Sequence, residues 1–168
     1  RSEVTIGIPV YESAPYIRRT LMSALNQTYP SIEFLVVDDC GEDGSVAIIR
    51  EIADVHPRGK DIRIISNAQN MGVAVSRNVI IEEAQGVFLY FMDSDDCLIE
   101  ETALSMIRKS IEQTDADLVI FNMTQDRQKR TRMFNYEFED GKLYEGAQRN
   151  IIYRELIKGT GLNSLCNK

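Results

Sequence analysis

The sequence predicts an α/β domain, a mostly parallel sheet with helices on both faces, and three observations predict it. Short apolar runs alternate with amphipathic stretches from Val4 to Asn122, an order that calls for parallel strands joined by right-handed helical crossovers. The run Gly86-Val87-Phe88-Leu89-Tyr90-Phe91-Met92 is apolar almost throughout, as in a strand buried on both faces. Unusual polar residues follow the strands four times: Tyr11-Glu12, Asp38-Asp39, Asn70 to Arg77, and Asp93 to Asp96. In such sheets ligands bind beyond the carboxyl ends of the strands. Loops expected at the opposite edge, Asn26 to Ser31 and Val55 to Asp61, carry fewer carboxylates.

Taken in order, Val4 to Tyr11 reads as the first strand, with Pro9 ending regular pairing. Ala14 to Asn26 is amphipathic, with Ile17, Leu21, Ala24 and Leu25 at helical spacing. The second strand, Ile32 to Val37, runs straight into the turn residues Asp38 to Ser45, and a helix follows to His56. A third strand, Ile62 to Ser66, precedes a helix from Val73 to Ala84. The apolar run to Met92 is the fourth strand, with a helix from Glu100 to Gln113 and a fifth strand from Ala116 to Asn122 behind it. Past Asn122 the pattern changes. Arg127 to Arg132 is basic, read either as a solvated turn or as a contact for an anionic acceptor or lipid surface. Met133 to Tyr144 carries Asp140-Gly141 and predicts a β-hairpin, and Ala147 to Ile157 predicts a helix.

The 168 residues suit about one domain with a real core. With 43% hydrophobic and 27% charged residues the composition is that of a soluble globular protein. A net charge of −7 argues against a protein that grips nucleic acid backbones. It leaves room for a phosphorylated ligand, because bound metal can supply local positive charge. No apolar run reaches the roughly 18 residues of a membrane helix, and no signal sequence is expected. Cys40, Cys97 and Cys166 are scattered, which suits a reducing compartment and no zinc site. The lone His56 argues against histidine catalysis.

The sharpest chemical signal is Asp93-Ser94-Asp95-Asp96. In extended backbone, residues two apart point the same way, so Asp93 and Asp95 can offer two oxygen ligands to one point. A divalent cation such as Mg2+ suits them, since it is often held by one or two carboxylates plus a substrate's phosphates. The competing reading makes Asp95 or Asp96 the cap of a helix starting near Ile99.

These segments together resemble the inverting glycosyltransferases of family 2, with the GT-A, nucleotide-diphospho-sugar transferase fold. Ile8-Pro9-Val10-Tyr11 is similar to that family's first-strand motif, Ser23-Ala24-Leu25-Asn26-Gln27-Thr28-Tyr29 to its first-helix end, and Val36-Val37-Asp38-Asp39 to its second-strand end. Asn70-Met71-Gly72 through Arg77-Asn78 resembles its Asn-x-Gly and Arg-Asn segment, and Asp93-Ser94-Asp95-Asp96 its DXD motif.

The resemblance implies that residues 1–125 bind a nucleotide-sugar donor and that 126–168 begin a truncated acceptor-side region. It implies a nucleotide site of Pro9, Val10, Tyr11, Glu12, Asp39, Gly72, Arg77, Asp93 and Ser94. Asp39 would accept from the imide N–H of a base, usually uracil; capping the helix from Ser45 or ordering the Asp38 to Gly44 turn are its alternative tasks. Gly72 permits close backbone approach to a ligand, and Arg77 would reach the diphosphate, or simply pair with Asp93. Asp95, with Asp93 and Asp96, would hold Mg2+ or Mn2+.

The implied reaction moves a sugar from a nucleoside diphosphate, most often UDP, to a saccharide or lipid-linked hydroxyl acceptor with inversion, in surface polysaccharide or glycoconjugate synthesis. It would run in the cytoplasm or at the inner face of the membrane, with peripheral membrane association through a missing C-terminal part and no nucleic acid partner. Inversion needs a base opposite the leaving group. No carboxylate follows Glu155, so the general base is expected outside the chain and the catalytic residue stays unassigned. Cys40 stands where the family usually has Gly, and Glu12 where Asn is common. A catalytically silent nucleotide-sugar-binding module of the same fold is the alternative. A phosphoacceptor receiver domain or a haloacid-type phosphatase fits poorly, because each needs a carboxylate pattern after the first strand that Tyr11-Glu12 does not supply.

Overall fold

The computed structural model describes residues 2–125, 128, 139 and 141–152, and the backbone of 163–167. The expected alternation is present. Strand β1 (Val4–Val10) leads to α1 (Ile17–Leu25), β2 (Ile32–Asp38) to α2 (Ser45–Val55), and β3 (Ile62–Ser66) to α3 (Val73–Glu83). Then come β4 (Phe88–Phe91), α4 (Ala103–Thr114), β5 (Leu118–Phe121) and β6 (Asn163–Asn167). The strands form one sheet in the order β3-β2-β1-β4-β6-β5. Pairings β1–β2, β1–β4 and β2–β3 are parallel, with Val4 opposite Ile32 and Phe88.

Alternating side chains on the central strands fall into two cores, one per face. Phe34 and Val36 join Val4, Ile6 and Ile8 under Ile17 and Leu21 of α1, Ile49 and Ile52 of α2, and Leu104 and Ile111 of α4. Leu35 and Val37 face the other way and pack with Leu89, Ile80 and Ala84 beneath α3. Each fully buried Leu, Ile or Phe contributes roughly 1.5–3 kcal/mol, so this two-sided burial dominates the fold's stability. Helix α3 sits close on β1 because Gly7 lacks a side chain. A Cβ there would lie 2.3 Å from Ile80 Cγ2.

Polar locks set the strands in register. Buried Glu33 accepts from the Thr5 hydroxyl at 2.7 Å and the Gln85 N–H at 2.9 Å, and pairs with Arg63 at 3.0 Å. Thr5 Oγ1 in turn accepts the Gly86 N–H at 2.9 Å, which fixes where the chain enters β4. Beyond β4, Gln27 at the end of α1 accepts the Leu104 N–H at 3.0 Å and donates to the Glu100 carbonyl at 2.8 Å. The segment after the acidic loop is thereby strapped to α1.

Sequence expectations are corrected at Pro9 and at the fourth strand. Regular pairing does not end at Pro9, since β1 pairs with β2 through Pro9 opposite Val37 and Val10 opposite Asp38. A strand the sequence did not predict, β6, lies between β4 and β5, antiparallel to both, so β5 runs parallel to β4 at one remove. Asn163-Ser164-Leu165-Cys166-Asn167 offers only two apolar residues and gives no strand period. The fourth strand is also shorter than its apolar run, since Val87 is exposed and regular pairing ends at Phe91. The basic stretch and most of the expected hairpin lie outside the described residues. Of the expected hairpin, Glu139 and residues 141–144 are described: Gly141 has φ +72°, and the Lys142 N–H donates to the Glu139 carbonyl. The expected helix from Ala147 begins as a 3-10 turn, Gly146–Arg149, and passes outside the described residues after Ile152.

Candidate functional site

The carboxyl ends of β1, β2, β3 and β4 open onto one cleft of about 410 Å³, lined by Pro9, Val10, Tyr11, Asp39, Asn70, Gly72, Val73, Ser76, Arg77, Asp93, Ser94 and Asp95. Every residue expected at the site is there except Glu12 and Asp96. Glu12 is exposed with φ +45°, Asp96 is half-buried, and neither lines the cleft. The cleft is also lined by Asn70, Val73 and Ser76, which the expected site left out although they lie within the polar stretch already singled out; Val73 and Ser76 sit on the first turn of α3. A second cavity, about 420 Å³, lies along α4 and β5 and contains none of the expected residues.

Asp39 anchors the loop between β3 and α3. Its Oδ1 accepts from Asn67 Nδ2 at 2.7 Å and the Met71 N–H at 2.9 Å, and its Oδ2 accepts the Gly72 N–H at 2.7 Å. Burial alone would raise its pKa. The bonds from Met71, Asn67, Gly72 and Ser76 outweigh that and hold the carboxyl below the usual carboxylate range. Neither alternative task holds for Asp39: Asp43 accepts the Ser45 N–H at 3.0 Å, and Asp38 accepts the Gly41 N–H at 3.3 Å. Gly72, with φ +85° and ψ 158°, turns the chain from this loop into α3 in a conformation suited to glycine. Nothing lies within 4 Å of the position its Cβ would take, so the backbone faces open space.

The acidic residues depart from the extended backbone expected from the sequence; they form a tight turn in which the Asp96 N–H donates to the Asp93 carbonyl at 3.1 Å. Asp93 and Asp95 nevertheless both line the cleft. Helix α4 starts at Ala103 with Thr102 at its cap position, so neither Asp95 nor Asp96 caps it. Arg77 makes the ion pair that the sequence left open, Nη2 to Asp93 Oδ1 at 2.7 Å, and lies over the Phe91 ring at 5.9 Å. Helix α1 grips the turn from behind. Thr20 Oγ1 donates to the Ser94 carbonyl at 2.8 Å, and Arg19 Nη2 to the Asp95 carbonyl at 2.6 Å.

Burial and the neighbouring Asp93 and Asp95 charges push the Asp96 carboxyl upward, with Arg19 partly opposing them. Crowded negative charge is the donor set a hard divalent cation would relieve. Among the described residues no three His, Cys, Asp or Glu side chains converge on one point. A cation here would therefore be held by one or two carboxylates, Asp95 foremost because Asp93 is taken by Arg77, with remaining ligands from water or a phosphorylated ligand. The residues fit such an ion.

Known proteins resemble this chain in sequence and in fold. The chain is 31% identical over 164 residues to the glycosyltransferase GlyA of Streptococcus pneumoniae, covering 96% of this chain and 23% of that protein. It is 36% identical over 114 residues to the succinoglycan biosynthesis protein ExoO of Rhizobium meliloti, covering 68% of this chain and 30% of that protein. The crystal structure of S. aureus TarS 1–349 in complex with UDP-GlcNAc superposes with a TM-score of 0.67 at 27% identity, over 73% of this chain and 34% of that chain. The chain thus spans about a quarter to a third of the length of these relatives. The model of Glycosyl transferase family 2 matches residues 5–167, almost from β1 to the end of β6, and with its GT-A fold the chain belongs to that family.

Proposed function

We propose that this chain carries the donor site of an inverting, metal-assisted glycosyltransferase. It moves a sugar from a UDP-sugar to a saccharide or lipid-linked hydroxyl in surface polysaccharide or glycoconjugate synthesis. One observation carries the proposal: residues from four separate loops, distant in sequence, meet on a single cleft at the carboxyl edge of a parallel sheet. The TarS structure, with UDP-GlcNAc bound, and the succinoglycan relative support the donor class and the pathway class.

Pro9, Val10 and Tyr11 take the base end, with Asp39 sharing a carboxylate oxygen between its loop amides and the base N–H. Gly72 lets the diphosphate approach backbone, and Arg77 swings between Asp93 and phosphate oxygens. Asp93 meets the ribose. Asp95, with Asp93 or Asp96, holds Mg2+ or Mn2+, which would neutralise charge growing on the leaving diphosphate. Residues 1–125 form this donor region and 126–168 begin the acceptor side, with β6 returned to the donor sheet. Among the described residues no helix is long and apolar enough to cross a membrane. Action in the cytoplasm or at the inner membrane face is part of the proposal.

A second reading, a catalytically silent donor-binding module, is favoured by the state of the cleft's carboxylates. Asp39 and Asp93 are committed to internal partners, and Asp95 is the proposed metal ligand, which leaves no general base on the described cleft. Calorimetric titration of UDP with Mn2+, against excess chelator, GDP and Asp95→Ala, tests the site. Metal-dependent UDP binding weakened by Asp95→Ala supports it, and no binding with metal present overturns it. Transfer of the sugar to an acceptor, assayed alongside binding, separates enzyme from silent module.

A further inference from the structure

Ser13 carries no role in the site so far, yet it is 3% exposed and joins three of the loops that build it. Its N–H donates to Ser45 Oγ at 2.9 Å. Ser45 Oγ donates to Asp43 Oδ1 at 2.5 Å, and Asp43 Oδ2 accepts the Ala14 N–H at 2.7 Å, closing a ring between the loops after β1 and β2. The Ser13 hydroxyl meets the Tyr11 carbonyl at 2.9 Å and Ser94 Oγ at 2.6 Å.

Proton accounting fixes the direction of that chain. A hydroxyl has one hydrogen to donate and two lone pairs. The Tyr11 carbonyl can only accept, so the Ser13 hydrogen goes to it. The short contact between Ser13 and Ser94 then has to be made by the Ser94 hydrogen. Ser94 lines the cleft with its proton already committed and only lone pairs to offer.

We propose that Ser13 is a positioning residue that turns Ser94 into an acceptor-only contact, one that takes a hydrogen bond from a hydroxyl of the donor nucleotide and does not donate to its phosphates. This rests on the donor-site reading above. The backbone of the acidic turn is pinned independently by Thr20 and Arg19, so losing Ser13 frees the Ser94 hydroxyl to rotate without releasing the turn.

The test is calorimetry on the same protein with two probes, UDP and inorganic pyrophosphate, each with Mn2+. Ser13→Ala and Ser94→Ala should each weaken UDP about fivefold, the scale of one hydrogen bond, and leave pyrophosphate unchanged. The double variant should be no weaker than Ser94→Ala alone, because both residues act through one contact. Additive losses, or pyrophosphate weakened as much as UDP, overturn the proposal. Should Ser13→Ala fail to fold, Ser94→Ala with both probes still decides it: UDP unaffected, or pyrophosphate weakened equally, refutes an acceptor-only Ser94. If the unchanged chain binds neither probe, the donor-site reading itself fails. If it binds UDP and both variants bind it equally well, only the Ser13 assignment fails.

Discussion

Replacing Asp39 by Asn separates a base-binding carboxylate from one that builds the loop. Asn is isosteric but keeps one acceptor oxygen, whereas the loop presents the Met71 N–H and Asn67 Nδ2 to one carboxylate oxygen and the Gly72 N–H to the other. Whichever way the amide turns, its NH2 faces at least one N–H donor. Hydrogen bonds to a charged group contribute about 1.5–3 kcal/mol each. Met71 is exposed, so part of the loop can turn to water instead, and the lower end applies. The expected loss is about 3 kcal/mol, or roughly 6–12 °C in Tm for a domain of this size. Thermal melting measures the loss, and hydrogen exchange at Met71 and Gly72 localises it. The pH dependence has a definite sign. The folded-state pKa lies below the ordinary value, so the stabilisation is present above that value and is lost as pH falls through the folded pKa. Asp39→Asn should flatten this acid limb. A variant melting within about 1 °C of the parent, with both amides still protected, would refute the loop-building role, since that shift is under roughly 0.5 kcal/mol.

Two further substitutions probe the frame and the site separately. Gly7→Ala drives a methyl into Ile80, which is fully buried, and should cost about 1–3 kcal/mol in chemical denaturation; pairing it with Ile80→Ala should cost less than the sum of the two. Arg77→Ala breaks an ion pair whose side chains are 42% and 49% exposed, so stability should change by under about 1 kcal/mol, while UDP affinity in the calorimeter falls about tenfold or more.

Most of the frame was legible because it follows from periodicity. Five strands and four helices lie where apolar alternation and helical spacing put them, with β3 spanning the expected Ile62–Ser66. The site was legible as an edge, because turn-forming and acidic residues collected after the strands. What stayed hidden depends on partners distant in sequence. The spacing of Asp39 says nothing of Met71 and Gly72, whose N–H groups decide what its carboxylate does. Strand β6 was invisible because its pairing depends on the vacant edges of β4 and β5 rather than on its own five residues. Asp93 and Asp95 line the cleft from a turn where extended backbone was expected.

The acidic turn also makes a claim about how the site responds to metal alone. Arg77 spends its guanidinium on Asp93, and Arg19 directs an N–H at the Asp95 carbonyl rather than a carboxylate. Asp95 and Asp96 are left against each other and against Asp93, which is why the Asp96 carboxyl is pushed up. Thr20 and Arg19 hold the turn from behind, so the repulsion is not relieved by opening it. A divalent cation that binds the folded turn and not the unfolded chain must raise stability by RT ln(1 + [L]/Kd), about 1.4 kcal/mol at ten times Kd. Mn2+ without nucleotide should therefore raise Tm by about 3–6 °C at that concentration, and Asp95→Ala should abolish the rise. An equal rise in Asp95→Ala would place the cation elsewhere on a chain of charge −7 and would remove Asp95 from the metal's ligands.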